Sequence, residues 1–265
     1  MITINNELCV NCMDCVNECP LGAFYTEEGS LKVNPAKCNY CGHCIAVCPR
    51  NALVIEEEDY YMDDVEEFYG RKADAASVRQ LILTRRSVRE YTDEEVTEDT
   101  LIQILEAGKY SPTQRNLQGN AFLVVTSEAE RDRLLDVTAE FFNRKADEIM
   151  DKMPGLGQFY KLKYTKYAED EEDNFYYRAP VIIFVFADDI EDGAIAATNM
   201  GVMTNALGLG YCFAKAPTEI FEDEEIRAYY EIPENKKCVL AMLVGYSRNE
   251  YFCSVPRKDP LVIIK

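Results

Sequence analysis

Cys9-Val-Asn-Cys12-Met-Asp-Cys15-Val-Asn-Glu-Cys19-Pro20 returns 29 residues later as Cys38-Asn-Tyr-Cys41-Gly-His-Cys44-Ile-Ala-Val-Cys48-Pro49. Ala23 and Ala52 keep the same offset, so a whole unit is duplicated rather than a short motif. Eight of the 11 cysteines lie in the first 48 residues. An odd total with no secretion signal argues against a disulfide framework and for metal ligands in a reducing compartment.

Outward from this repeat, the 265 residues suggest one large domain or two unequal ones. The chain is 48% apolar and 28% charged, ordinary for a soluble protein. Its 28 basic and 47 acidic residues give a net charge of −19. Such a surface repels phosphate backbones and anionic membranes, so neither nucleic acid nor membrane is expected as a partner. The longest apolar run, Val181 to Ala187, is too short to span a bilayer. The opening residues carry no charged segment followed by an apolar one, which leaves a cytoplasmic location as the expectation.

The repeat spacing, C-x2-C-x2-C-x3-C-P, is the run used by bacterial two-cluster iron–sulfur proteins. Three thiolates two residues apart wrap one cubane, and the fourth, ahead of proline, reaches the other. That assigns Cys9, Cys12, Cys15 and Cys48 to one [4Fe–4S] cluster and Cys38, Cys41, Cys44 and Cys19 to a second. A pair of zinc knuckles is the alternative, but zinc sites usually separate two cysteine pairs by a longer loop. A segment of this size with few large apolar side chains also needs such staples to fold. His43, the sole histidine, sits inside the second motif, as an exposed loop residue or as a tuner of that cluster. The rest of the chain therefore has no histidine for a Ser-His triad or a His-bearing zinc site.

Glu56 to Glu67 holds eight acidic residues and no basic one, the pattern of a solvated linker or exposed helix. A docking surface for a basic electron-donor protein is the lesser alternative. The expected division is a first domain over 1–58, an acidic linker over 59–76 and a second domain over 77–265. Within the second, helices are expected over 75–85, 96–109 with Thr97 as N-cap, 128–150 and 193–209. Leu101, Ile102 and Leu105 are expected on the apolar face of the second helix. Apolar strands are expected over 121–125, 181–187 and 238–244, giving an α+β or α/β layered domain. Neither a dinucleotide-binding nor a P-loop glycine pattern occurs.

Three further stretches carry chemistry. Arg85-Arg86-Ser87-Val88-Arg89 places guanidiniums and a hydroxyl where they can fork a phosphate. Ser111-Pro112-Thr113-Gln114-Arg115-Asn116-Leu117-Gln118 is a loop rich in amides, which present a donor and an acceptor together. Val255-Pro256-Arg257-Lys258 is a second cationic stretch. In this order, with Asn199 to Gly210 between the last two, they resemble the nitroreductase family of FMN-dependent oxidoreductases over residues 77–265. The cysteine repeat resembles a bacterial two-cluster ferredoxin over residues 1–58. Together they look like the ferredoxin–nitroreductase fusions of anaerobes.

The resemblance implies a ferredoxin-like domain followed by an FMN-binding α+β sandwich that forms a homodimer, with C-terminal tails reaching across. Arg85, Ser87 and Arg89 would hold the FMN phosphate and ribityl chain. Asn116 and Gln118 would meet the flavin pyrimidine. Ala214 and Lys215 lie in the loop whose backbone amide faces flavin N5, and Arg257 and Lys258 are the C-terminal phosphate contacts. The sequence departs from the family at Gln118-Gly119-Asn120, where Gln-Pro-Trp is usual, and it has no tryptophan. The apolar Leu261 to Ile264 suits either tail exchange or an edge strand within one subunit.

The implied activity carries electrons from two clusters to FMN and on to a small electron-poor acceptor: a nitro compound, a quinone or an activated alkene. Reduced ferredoxin or NAD(P)H is the expected donor. Alternatives are an NAD(P)H-driven reductase with structural or sensory clusters, and a relay subunit without its own substrate. Tyr160, Tyr164, Tyr167, Phe175, Tyr176 and Tyr177 are candidate pocket-lining residues, against the blander alternative that they pack a helical excursion. Cys212, Cys238 and Cys253 read as ordinary thiols.

Overall fold

The computed structural model describes residues 1–68, 70 and 72–265; positions 69 and 71, inside the expected linker, lie outside the described residues. The chain divides into two compact units. The first comprises Met1–Lys72 together with Gln114–Leu117, and the second comprises Ala73–Thr113 and Gln118–Lys265.

In the first unit β1 (Ile2–Ile4), α1 (Asp14–Glu18), β2 (Phe24–Glu27), β3 (Ser30–Val33), α2 (His43–Val47) and β4 (Leu53–Ile55) follow in order. β1 pairs antiparallel with β4, and β2 with β3. The duplication reaches the backbone. Asn11 and Tyr40 adopt φ of 52° and 54°, and Met13 and Gly42, which cap α1 and α2, adopt 68° and 76°. Each pair is 29 residues apart, so both loops turn by the same left-handed steps. Ala23 and Ala52 are 2% and 1% exposed, which explains why both copies keep a small residue there. The core is thin: Ile2, Leu31, Leu53 and Ile55 close on Cys15 and Cys44. The acidic stretch is not wholly solvated, because Tyr60 and Met62 pack on this core and the Tyr40 and Tyr60 ring centroids stand 5.8 Å apart.

The second unit runs α3 (Ala75–Thr84), α4 (Glu98–Lys109), β5 (Ala121–Val125), α5 (Glu128–Ile149), α6 (Pro154–Asp170), β6 (Val181–Ala187), α7 (Ile190–Ala206), β7 (Gly210–Ala214), α8 (Glu224–Tyr229) and β8 (Lys237–Gly245). The strands form one antiparallel sheet in the order β5-β6-β8-β7. β6 is buried along its whole length, and alternate residues serve opposite layers. Val181, Ile183 and Val185 face a layer holding Ile104 of α4 and Ala197 and Met200 of α7. Ile182, Phe184 and Phe186 face Leu134 and Phe142 of α5, with Phe175, Tyr176 and Phe221. This is why β6 reads as an unbroken apolar run, although its sheet is antiparallel.

Helix starts follow local chemistry. Thr97, Ser127 and Asp189 each accept a backbone N–H from the first turn of the helix that follows, satisfying donors left open there. α7 thus begins at Ile190, three residues before the expected position, because Asp189 caps it. On α4 Ile102 is 49% exposed and Ile104 fully buried, correcting the expected apolar face. β7, α6 and α8 are additions to the expected elements. α6 is weakly amphipathic in sequence, and β7 follows directly on a glycine turn. Gly201 lets α7 lie on β7: a Cβ there would meet the Tyr211 hydroxyl at 2.5 Å. Among the described residues no helix is long and apolar enough to cross a membrane.

Candidate functional site: two cysteine cages and an FMN-type cradle

The eight repeat cysteines surround two cavities in the first unit. One is lined by Cys9, Cys12, Cys15 and Cys48, with Ile4, Leu31 and Leu53 behind them. The other is lined by Cys19, Cys38, Cys41 and Cys44, with Ile2, Phe24 and Val33. Each cavity takes three cysteines from one copy and the pre-proline cysteine from the other. Backbone amides already face the pre-proline sulfurs: the Ala23 and Ala52 N–H groups donate to Cys19 and Cys48 Sγ, both at 3.3 Å. Burial raises the Cys15 thiol, and pushes that of Cys44 up to about 11.

No three His, Cys, Asp or Glu side chains among the described residues converge on a point where a single metal ion could sit. Four thiols spread around an apolar cavity fit a cubane, whose four irons each take one thiolate, better than a lone zinc ion. His43 is exposed, and its Nδ1 stands 3.1 Å from Cys41 Sγ, within reach of the second cage.

In the second unit the Arg85–Arg89 stretch runs along the outer edge of the sheet. Arg85 ends α3, and Ser87 forms a parallel bridge with Tyr211 of β7. Val88 N–H donates to the Tyr211 carbonyl (3.0 Å). Buried Tyr91 fixes the stretch from behind: its hydroxyl donates to the Val88 carbonyl (2.7 Å), and burial pushes its pKa well up. Neither Arg85 nor Arg89 has a carboxylate partner among the described residues. Arg89 lies 5.5 Å from the Tyr177 ring centroid. Arg86, not among the expected contacts, is committed to structure, donating to the Cys253 carbonyl (2.7 Å). With Arg248 N–H donating to the Glu90 carbonyl (3.0 Å), this lays the start of the C-terminal tail along residues 86–91. Beyond it, Arg257, Lys258 and Leu261 to Ile264 are exposed and belong to no strand, so the edge-strand alternative is not what this chain forms.

The amide loop is looped out and closed at its base, where Gln118 N–H donates to Thr113 Oγ1 (2.9 Å). Gly119 follows, with its carbonyl accepting from Lys236 Nζ (2.6 Å), itself held by Asp188. A Cβ at 119 would drive into the Asp188 carboxylate, which is a physical reason for glycine at this departure from the family pattern. Asn120 then supplies what sequence reasoning missed. Its Nδ2 donates to buried Ser111 Oγ (3.1 Å), while its Oδ1 is buried with no hydrogen-bond partner. A buried acceptor left unmet costs about 1–3 kcal/mol. An imide N–H or ribityl hydroxyl of FMN is the kind of donor it lacks, so this cradle fits the cofactor. A third amide after Asn116 and Gln118 was the available signal.

Ala214 is the last residue of β7, and Lys215 Nζ donates into the sheet, to the Val239 carbonyl (2.7 Å), so only its backbone is available to a ligand. Tyr160, Phe175 and Tyr176 are 5%, 2% and 1% exposed and belong to the core, as the packing alternative expects. Tyr176 shares a 2.7 Å hydrogen bond with Thr138, and Tyr160 donates to Glu219 (3.0 Å). Tyr164 and Tyr167 reach Glu140 and Asp136 of α5. Tyr177 alone of the six lies against an expected cofactor residue. Burial pushes the Cys238 thiol up to about 12, which favours the thiol over the nucleophilic thiolate.

Residues 82–246 match the nitroreductase family, and residues 1–49 match the 4Fe-4S dicluster domain. A Bacillus subtilis protein named as a candidate NAD(P)H nitroreductase is 23% identical over 174 residues, 64% of this chain and 84% of its own. Nitroreductase NfnB of Mycolicibacterium smegmatis is 26% identical over 199 residues, 65% of this chain and 84% of its own. Among solved structures, a Bacteroides fragilis nitroreductase with bound FMN aligns over 71% of this chain and 98% of its own, with a TM-score of 0.61 at 24% identity.

Proposed function

Because the chain belongs to the nitroreductase family, is an FMN-dependent oxidoreductase and carries a dicluster domain for two [4Fe–4S] clusters, we propose that it gathers single electrons through the clusters and passes them, by way of FMN, to a small electron-poor organic acceptor. The observation that carries this reading is the sorting of eight cysteines into two four-cysteine cavities within the same chain as the flavin domain. When bound, the clusters supply electrons one at a time, and FMN collects them and delivers two as a hydride from N5.

The chain's own residues hold and orient. Arg85, Ser87 and Arg89, with Arg257 and Lys258 of the tail, neutralise the phosphate and support an anionic reduced flavin. Asn116, Gln118 and Asn120 pair with the pyrimidine edge, and the Ala214–Lys215 backbone faces N5. The only histidine belongs to the cysteine repeat, so a proton for the acceptor comes from water or from a tyrosine acting as the acid. The exposed apolar tail, Leu261 to Ile264, supports a homodimer in which tails exchange. The acceptor class we favour is a nitro compound, with quinones and activated alkenes as further candidates.

Anaerobic mixing tests the donor. Holoprotein mixed with a reduced ferredoxin or dithionite should bleach cluster absorbance and then flavin absorbance, while NADH and NADPH act slowly. Rapid flavin bleaching by NAD(P)H with the clusters untouched would instead establish a nicotinamide-driven reductase, the reading that the names of the relatives favour.

A further inference from the structure

The two cysteine loops are copies, yet they do not offer their sulfurs the same donors. Part of each cage is matched. The Ala23 and Ala52 amides donate to Cys19 and Cys48 Sγ, both at 3.3 Å. One cation lines each cavity, Lys37 at the second cage and Arg50 at the first, and the volumes are close, about 380 and 360 Å³.

The second cage then has two further donors among the described residues. Tyr40 N–H donates to Cys38 Sγ (3.4 Å), and His43 Nδ1 stands 3.1 Å from Cys41 Sγ. A ligated cysteine is a thiolate with no proton to give, so the imidazole is the donor of that bond. At the first cage Cys9 Sγ instead faces the Asn11 carboxamide oxygen at 3.7 Å, an acceptor. The counterpart of His43, 29 residues earlier, is Asp14. His43 opens α2 and lines the second cavity, whereas Asp14 opens α1 and does not line the first. A carboxylate accepts hydrogen bonds and donates none, and its charge opposes an added electron nearby.

Reduction adds one negative charge to a cluster. Donors aimed at its sulfurs stabilise that charge and raise the potential. Water acts the other way here, since Cys12 is exposed where Cys41 is only partly so. That difference falls on one ligand, against two further donors and the exchange of a carboxylate for an imidazole.

We propose that His43 acts through Cys41 Sγ, together with the Tyr40 amide, to hold cluster two at a higher potential than cluster one, so that the first electron to enter the pair rests there. A one-electron donor of the ferredoxin or dithionite class loses that electron and cluster two gains it; a second such transfer fills cluster one. The inference rests on both clusters being loaded and is independent of whether they discharge into the flavin.

An EPR-monitored redox titration of the holoprotein at fixed pH tests it. Wild type should show two cluster midpoints, with the first electron favouring one cluster by about tenfold or more, at least about 59 mV for a one-electron couple. His43→Ala should lower the upper midpoint by about tenfold in that partition and leave the lower one in place. His43→Gln, which keeps an N–H donor, should restore most of the loss. Asp14→His should raise the lower midpoint. Iron and FMN content should match wild type in all three. A shift below about twofold in His43→Ala, an equal shift of both midpoints, or no rescue by glutamine overturns the proposal. If His43→Ala loads iron poorly, Asp14→His decides alone, an unmoved lower midpoint being the contrary result. Wild-type flavin that stays oxidised while both clusters are reduced overturns the electron path to FMN, a separate failure.

Discussion

The loop from Cys9 to Cys19 and the loop from Cys38 to Cys48 turn through the same left-handed residues, bury the same third cysteine and aim the same alanine amide at the fourth. Among the positions where they differ is the residue after the first cysteine. The first offers Val10 to solvent, whereas the second offers Asn39 to Arg115 and Asn116. A duplication keeps what the cluster needs, namely ligands, turns and a small residue behind them. It is free to diverge where a loop meets the rest of the chain, so the divergent residue is the one to interrogate.

The largest effect should come from breaking one cage at a time. Cys41→Ala is expected to lose half the iron and slow cluster-to-flavin transfer by about 100-fold or more, while FMN stays bound. Cys12→Ala should lose the same share of iron and likewise keep FMN bound. Iron analysis with stopped-flow absorbance reads both, and full iron retention in either variant would break the assignment of four cysteines to each cage.

Next is the far anchor of the amide segment. Gly119→Ala must displace Asp188 and with it the Lys236 clamp, and should weaken FMN binding by about tenfold, near 1.4 kcal/mol. Flavin fluorescence titration measures it. Unchanged affinity would mean that the Lys236 clamp does not place the segment. Asn120→Ala sharpens the same point. It removes an unmet buried acceptor and the Nδ2–Ser111 bond together, two effects of opposite sign, so unfolding of the flavin-free protein should shift by no more than about 1 kcal/mol while FMN binding weakens about tenfold. Unchanged FMN affinity in this variant would remove Asn120 from the cofactor contacts. The smallest effect should follow from grafting the second loop's residue onto the first. Val10→Asn lies on an exposed surface, so unfolding should shift by no more than about 0.5 kcal/mol and transfer rates should hold.

Much of this architecture is legible in the amino-acid order alone. The cysteine repeat carries its own partition, because ligand spacing is a covalent property that tertiary packing cannot alter. Val181 to Ala187 is readable because burial on both faces leaves a continuous apolar run, and Ala121 to Val125 because this half-buried edge strand still packs on both layers. The start of α7 lies three residues ahead of where periodicity puts it, since Asp189 acts through one capping bond. The hydrogen bonds of Asn39 are invisible in sequence, since their partners are 76 and 77 residues away and asparagine in a loop has many ordinary uses. Asn120 is hidden for the same reason: an unmet acceptor is a property of surroundings, not of a letter.

The central claim is that the inorganic centres and the flavin form one electrical store, and counting electrons tests it most directly. Holoprotein is reduced fully under anaerobic conditions, freed of reductant, and mixed with excess nitroaromatic acceptor. Two clusters holding one electron each and a flavin holding two should deliver about four electrons per chain, with cluster and flavin absorbance returning together. Delivery of about two electrons, with the clusters left reduced, would contradict the account.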